Sequence, residues 1–185
     1  GKMRKLIKNV NLILENELIK AGSIVFAEES AQVEKIAPYT LEVEAEADVI
    51  EADGGYLSPG MIDLHIHGGG GFDTMDASFE ALNEITMVLA AYGVTSLLPT
   101  TMTAAGNKIH AALENIRQAK KRGTEGAQIL GAHVEGPFIS SNYSGAQDGE
   151  EISSPEINFL KDYYDLIEIV SMAPELEGAL ALIED

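Results

Sequence analysis

A chain of 185 residues with 45% hydrophobic residues and a mean hydropathy of +0.03 can build one domain with a core, or one domain plus a small second one, and is not a disordered composition. No apolar run approaches the ~20 residues of a membrane span, and the absence of cysteine removes disulfide and thiolate chemistry and suits a reducing cytoplasm. A net charge of −18 argues against nucleic acid or an anionic membrane as partner, so any anionic substrate must be held by local groups.

Gly1-Lys2 reads as an addition ahead of Met3, and the first residues are too broken by charge for a secretory leader. Up to about residue 58, short apolar stretches such as Leu12-Ile13-Leu14 and Ile24-Val25-Phe26 alternate with the turn signals Asn16, Gly22 and Gly54-Gly55. This texture predicts small antiparallel β structure over residues 1–58. Glu42, Glu44, Glu46 and Asp48 fall on every second residue, with Val43, Ala45, Ala47 and Val49 between them. That alternation suits a strand with one wet face.

From Pro59 the pattern becomes strand, loop and amphipathic helix in repetition. Met61–His65 is an apolar run. Phe79, Leu82, Ile85, Val88, Leu89 and Tyr92 then recur at helical spacing, with Ser78 placed to cap. Val94–Leu98 reads as the next strand. Ile109, Leu113 and Ile116 mark a helix that ends in a basic turn before Gly123. Gln128–Val134 reads as a third strand and Ile167–Met172 as a fourth, with a helix starting at Ser154-Pro155-Glu156 between them. The repetition predicts a parallel sheet with helical crossovers over residues 59–185.

Two strand ends carry the chemistry. In "MIDLHIHGGGG" (61–71), side chains alternate faces, so Asp63, His65 and His67 share one. Two imidazoles projecting together can bind a metal, and an acid two residues earlier can orient them. The alternative, incidental turn histidines, stays open. The glycines form no dinucleotide fingerprint, because Asp73 stands where a third glycine would be and no P-loop lysine follows. They read as backbone passing close to a site or as a flexible turn. In "GAHVEGPFIS" (131–140), His133 and Glu135 repeat the spacing at the third strand's end. In a closed barrel such ends converge on one rim, so Glu135 could meet the histidines, or serve as a structural carboxylate. His133 reads as a supporting or packing residue, His110 as a surface residue, and Asp73 and Asp76 as turn caps.

With "YLSPGMIDLHIHG", "GVTSLLPTT", "HVEGPFIS" followed by "GAQ", and "MAPELEG", the chain resembles the amidohydrolase superfamily, and within it the N-acetylglucosamine-6-phosphate deacetylase family. The resemblance implies the N-terminal half of a (β/α)8 TIM-like barrel preceded by part of a small β-sandwich. It implies metal-dependent removal of the acetyl group from N-acetylglucosamine-6-phosphate, giving glucosamine-6-phosphate and acetate. Glu135 would be the primary metal ligand, and His65 and His67 would supply a second or alternative position. Zn²⁺ would be the first choice, with Fe²⁺, Mn²⁺ or Co²⁺ as others, and the metal count stays open. Asp63 and His133 would support the ligands. Ala146 and Gln147 would touch the sugar, although histidine is common at the second of these places. The family implies a cytoplasmic enzyme, homodimeric at full length.

An aspartate that passes a proton to the leaving amine, further histidine ligands and the phosphate-binding basic residues would all lie outside this sequence. No catalytic residue is therefore expected here, and the chain alone is expected to be inactive. An incomplete barrel would expose the inner apolar faces of Val94–Leu98 and Ile167–Val170 and favour association. The competing readings are a cyclic-amide hydrolase, against which the acid at position 135 argues, and a non-catalytic fragment that associates through open edges.

Overall fold

The computed structural model describes residues 4–27, 32–42 and 47–184. The reading of Gly1-Lys2-Met3 and the central part of the acidic alternation, residues 43–46, lie outside them. The chain divides into two compact units, Gly1–Pro59 and Gly60–Asp185.

In the first unit, β1 (Arg4–Ile13) lies between β2 (Leu18–Ala27) and β4 (Ala47–Glu51), with β3 (Val33–Ala37) outside β2 and β5 (Tyr56–Leu57) pairing the end of β1. Leu6, Val10 and Leu12 sit at even positions of β1 and are buried, as a period of two demands of a half-covered strand. The expected all-antiparallel arrangement needs correction. β2 and β3 are antiparallel to their neighbours, but β4 and β5 run parallel to β1, with Leu6 beside Val49 and Leu12 beside Leu57. The excursion through β2 and β3 supplies the crossover that a parallel neighbour needs. Asp48 is exposed and Val49 half-buried, the alternation expected of that strand.

In the second unit, β6 (Met61–Ile66) leads through a hairpin of β7 (Gly68–Gly69) and β8 (Phe72–Asp73) into α1 (Phe79–Ala90), β9 (Val94–Pro99) and α2 (Gly106–Arg122). Then come β10 (Gln128–Ile129), β11 (Ala132–Glu135), the short α3 (Ile157–Leu160), β12 (Ile167–Ser171) and α4 (Ala179–Glu184). β6, β9 and β10 are parallel neighbours, as are β11 and β12, and a parallel bridge from Thr100 to His133 joins the two groups.

The sequence places one strand at 128–134, but it is broken after Ile129. Leu130 N–H is accepted by the Leu97 carbonyl on one side and Ala132 N–H by the Leu166 carbonyl on the other. Gly131 sits at the break, where any Cβ would run into the Leu166 carbonyl and the Glu168 side chain.

Both long helices form for the reasons their sequences give. Ser78 caps α1 by accepting from Ala81 N–H at 3.2 Å. Leu82 and Ile85 are buried, but α1 ends two residues before Tyr92, which stands 78% exposed rather than in the apolar stripe. Ile109, Leu113 and Ile116 of α2 are fully buried against Leu97, Val134 and Phe138. Each such side chain contributes roughly 1.5–3 kcal/mol. Lys120, Lys121 and Arg122 occupy the last turn of α2, where cations meet the negative end of the helix dipole.

Three further expectations are corrected. α3 begins at Ile157, so buried Pro155 lies in the extended approach and not in the first turn. His110 is half-buried, not a surface residue. Its ring packs on Phe159 and Tyr163, and its Nε2 bonds the Phe159 carbonyl at 2.9 Å. Leu97 and Leu98 are both buried, Leu97 in the core formed with the helices. On the strands of this unit, among the described residues, the large apolar side chains that are exposed are Met61, Ile62 and Leu64 on β6 and Val170 on β12.

Candidate metal centre

β6 and β11 end at the same level because both are in parallel register with β9: Ile66 pairs with Pro99, and Thr100 bridges His133. That register sets His65, His67 and Glu135 side by side. Among the described residues they form a group whose ligand atoms all lie within 4.8 Å of one another. Glu135 Oε2 is 3.0 Å from His67 Nε2 and 3.8 Å from His65 Nε2. Two donors at zinc-ligand distances on a tetrahedron are about 3.4 Å apart, so the spacing and the N,N,O set fit a divalent ion. The side chains are 46% (His65), 30% (His67) and 24% (Glu135) exposed, which leaves an approach from solvent.

The ring orientation of His67 follows from its other nitrogen. Nδ1 lies 3.2 Å from the Thr100 carbonyl oxygen, which can only accept. Nδ1 therefore carries a hydrogen, and Nε2 is the nitrogen turned to Glu135. A backbone carbonyl holding one imidazole nitrogen while the other is offered to a metal is a common arrangement around metal-binding histidines. Thr100 is itself immobilised: its hydroxyl accepts from Ile66 N–H at 2.9 Å and donates to the Leu98 carbonyl at 3.1 Å. The hydroxyl of Thr101 takes the backbone N–H of Glu135 at 3.3 Å, so two consecutive buried threonines brace both strand ends.

His133 is 5% exposed and uses both nitrogens inside the protein. Nδ1 donates to the Leu64 carbonyl and Nε2 accepts from the Ser171 hydroxyl, each at 2.8 Å. Its ring stands edge-on to that of His65, 4.8 Å between centroids. Asp63 touches His65 through the backbone, accepting its N–H at 3.1 Å, and not through the ring as the shared face suggests. The register shift between Asp63 and Ile66 interrupts strict alternation there.

Ala146 is exposed. Gln147 is half-buried and reaches the group itself, donating from Nε2 to Glu135 Oε2 at 2.7 Å. Gly136 follows the glutamate with φ of +74° and lies where any Cβ would collide with Thr103, so only glycine fits.

The glycine run is a hairpin turn. Gly70 and Gly71 have φ of +66° and +91°, the requirement of a two-residue type I′ connection between β7 and β8. Asp73 then caps the following turn, accepting from Met75 N–H while Asp76 accepts the Asp73 N–H.

Sequence patterns do not single out Thr100, Thr101, Ser171 or the Leu64 carbonyl. The first two stand in "PTT" at a predicted strand end, a signal that could have marked them. The other two act through backbone or across a long sequence separation and leave no local trace. Among the described residues no helix is long and apolar enough to cross a membrane.

No family model matches the chain. It is 40% identical over 189 residues to the N-acetylglucosamine-6-phosphate deacetylase of Bacillus subtilis (strain 168), covering 96% of this chain and 46% of that protein. It is 42% identical over 139 residues to an N-acetylgalactosamine-6-phosphate deacetylase of Escherichia coli O157:H7, covering 73% of this chain and 37% of the relative. A solved structure of a mutant N-acetyl-D-glucosamine-6-phosphate deacetylase from Mycobacterium smegmatis, in complex with N-acetyl-D-glucosamine-6-phosphate, matches with a TM-score of 0.82 at 26% identity. That match covers 98% of this chain and 46% of the other. The chain thus spans about half the length of the relatives it matches, and over that span it is similar to the N-acetylglucosamine-6-phosphate deacetylases.

Proposed function

We propose that the chain is the N-terminal half of a metal-dependent deacetylase that hydrolyses the acetamide of N-acetylglucosamine-6-phosphate. The observation that carries this reading is the convergence of His65, His67 and Glu135 from two strand ends. Residues 59–185 would form half of a (β/α)8 barrel, whose active-site rim is the end where the strands finish, and residues 1–58 part of a small β-sandwich.

His65, His67 and Glu135 would hold the ion, with Zn²⁺ the first choice for two imidazoles and a carboxylate. A divalent ion held there would polarise the acetamide carbonyl and lower the pKa of water. Thr100 fixes the His67 ring and Thr101 fixes the backbone of Glu135, so the chain's own part is to present three donors in one geometry. By the resemblance, proton delivery to the leaving amine would fall to an aspartate outside this sequence, and loss of a general acid typically costs ~10²–10⁴-fold in rate. The chain alone is therefore proposed to be inactive. The apolar side chains left open on β6 and β12 suit association, and the complete enzyme is proposed to be a cytoplasmic homodimer.

Similarity to an N-acetylgalactosamine-6-phosphate deacetylase favours a second reading, in which the sugar differs in configuration at one carbon. Acetate release from both amino-sugar phosphates, and ring opening of a cyclic amide such as dihydroorotate, should be followed with the full-length protein. Turnover of the N-acetylglucosamine substrate with higher kcat/KM supports the first reading. Preference for the galactosamine ester selects the second, and turnover of the cyclic amide alone overturns both.

A further inference from the structure

Glu135 reaches the candidate metal centre on a flexible side chain, while its backbone is held by the pairing with Ser171 and by the Thr101 hydroxyl. Something must hold the carboxylate itself. The Gln147 side chain spans the gap between Glu135 and the loop after β9. Its Oε1 accepts the backbone N–H of Thr103 at 2.7 Å, and its Nε2 donates to Glu135 Oε2 at 2.7 Å and lies 3.5 Å from Met102 Sδ. The amide orientation is not a free choice. A backbone N–H can only donate, so the carbonyl end must face Thr103 and the N–H₂ end must face the carboxylate. Gln147 is anchored in turn by its own N–H, which bonds the Ser144 carbonyl at 3.0 Å.

We infer that Gln147 is a positioning residue that holds the Glu135 carboxylate for a divalent cation. The inference rests on the metal-centre reading above. A neutral amide suits this role because it restrains one oxygen without cancelling the negative charge, as a lysine would. The oxygen it restrains is the one 3.0 Å from His67 Nε2, so the same bond sets the spacing between two of the three donors. Both polar atoms of the amide are engaged within the protein, which distinguishes this role from that of a side chain directed at a sugar.

The test is the zinc affinity of the full-length protein, measured by competition with a chromophoric chelator, for the parent and for Gln147→Met and Gln147→Ala. Methionine keeps the length and bulk and removes both hydrogen bonds. Losing such a supporting contact typically costs ~10–100-fold in metal affinity, and a loss of that size is expected in both variants. The melting temperature without metal is read alongside, because a purely structural role would lower it and leave zinc affinity at the parent's value. Parent-like affinity in Gln147→Met overturns the inference while the metal centre stands. A full-length parent protein that takes up no zinc overturns the metal-centre reading and this inference with it.

Discussion

His67 and Thr100 are joined by a 3.2 Å hydrogen bond from an imidazole nitrogen to a backbone carbonyl, and that bond decides which nitrogen of His67 faces Glu135. The carbonyl stays where it is because the Thr100 hydroxyl ties Ile66 N–H and the Leu98 carbonyl together across β6 and β9. Thr100→Val keeps the shape but leaves the Ile66 N–H unpaired in a half-buried place. The expected cost is about 1–3 kcal/mol in urea unfolding, with a lower zinc affinity than the parent. Unchanged stability would show that the hydroxyl does not hold the strand ends.

His133 should behave differently from its neighbours. Both ring nitrogens are bonded internally, so His133→Ala is expected to lower stability by about 2–3 kcal/mol while zinc stoichiometry persists. Metal analysis of the folded variant at a temperature well below its transition checks this. Loss of the ion from a folded His133→Ala chain would make His133 a ligand.

The hairpin between β7 and β8 depends on positive φ at Gly71, which has open space around it. Gly71→Ala therefore costs backbone strain alone, about 1–2 kcal/mol. A thermal shift showing no destabilisation would mean that the turn is not of this type.

Tyr163 gives a pH signature away from the candidate site. Burial, with Glu114 nearby, pushes its phenol above the usual tyrosine value of about 10. A folded-state value raised above the unfolded one contributes stability that is complete below pH ~10 and is lost as pH rises through the folded value. Tyr163→Phe should accordingly remove part of the alkaline loss of stability, and absorbance at 295 nm should lose a late-titrating component in that variant. An alkaline titration curve with the same late component in Tyr163→Phe as in the parent would contradict this.

The parts of this structure legible in the sequence are those where one local pattern decides. The periods of α1 and α2, the caps at Ser78 and Asp73 and the basic end of α2 all lie within a few residues of the feature they specify. His65 and His67 could be read as a pair at one strand end, while their meeting with Glu135 needed the barrel expectation and the resemblance as well as the spacing. The break at Gly131 was not, since it arises from one segment bonding to β9 on one side and to the Leu166 carbonyl on the other. Nor was His110, whose environment is made by Phe159 and Tyr163, some fifty residues on. The parallel placement of β4 escaped a reading that sees turns but not which strands they bring together.

Whether His65, His67 and Glu135 hold a metal is decided by the zinc content of the full-length protein carrying Glu135→Gln, His65→Ala or His67→Ala, measured by atomic emission after equilibration with zinc and desalting. A carboxylate is the charged donor of the three and the one nearest both imidazoles, so Glu135→Gln is expected to lose the ion most completely, with each histidine variant retaining more. Glu135→Gln binding zinc at the parent's stoichiometry would contradict the account and remove this residue from the site.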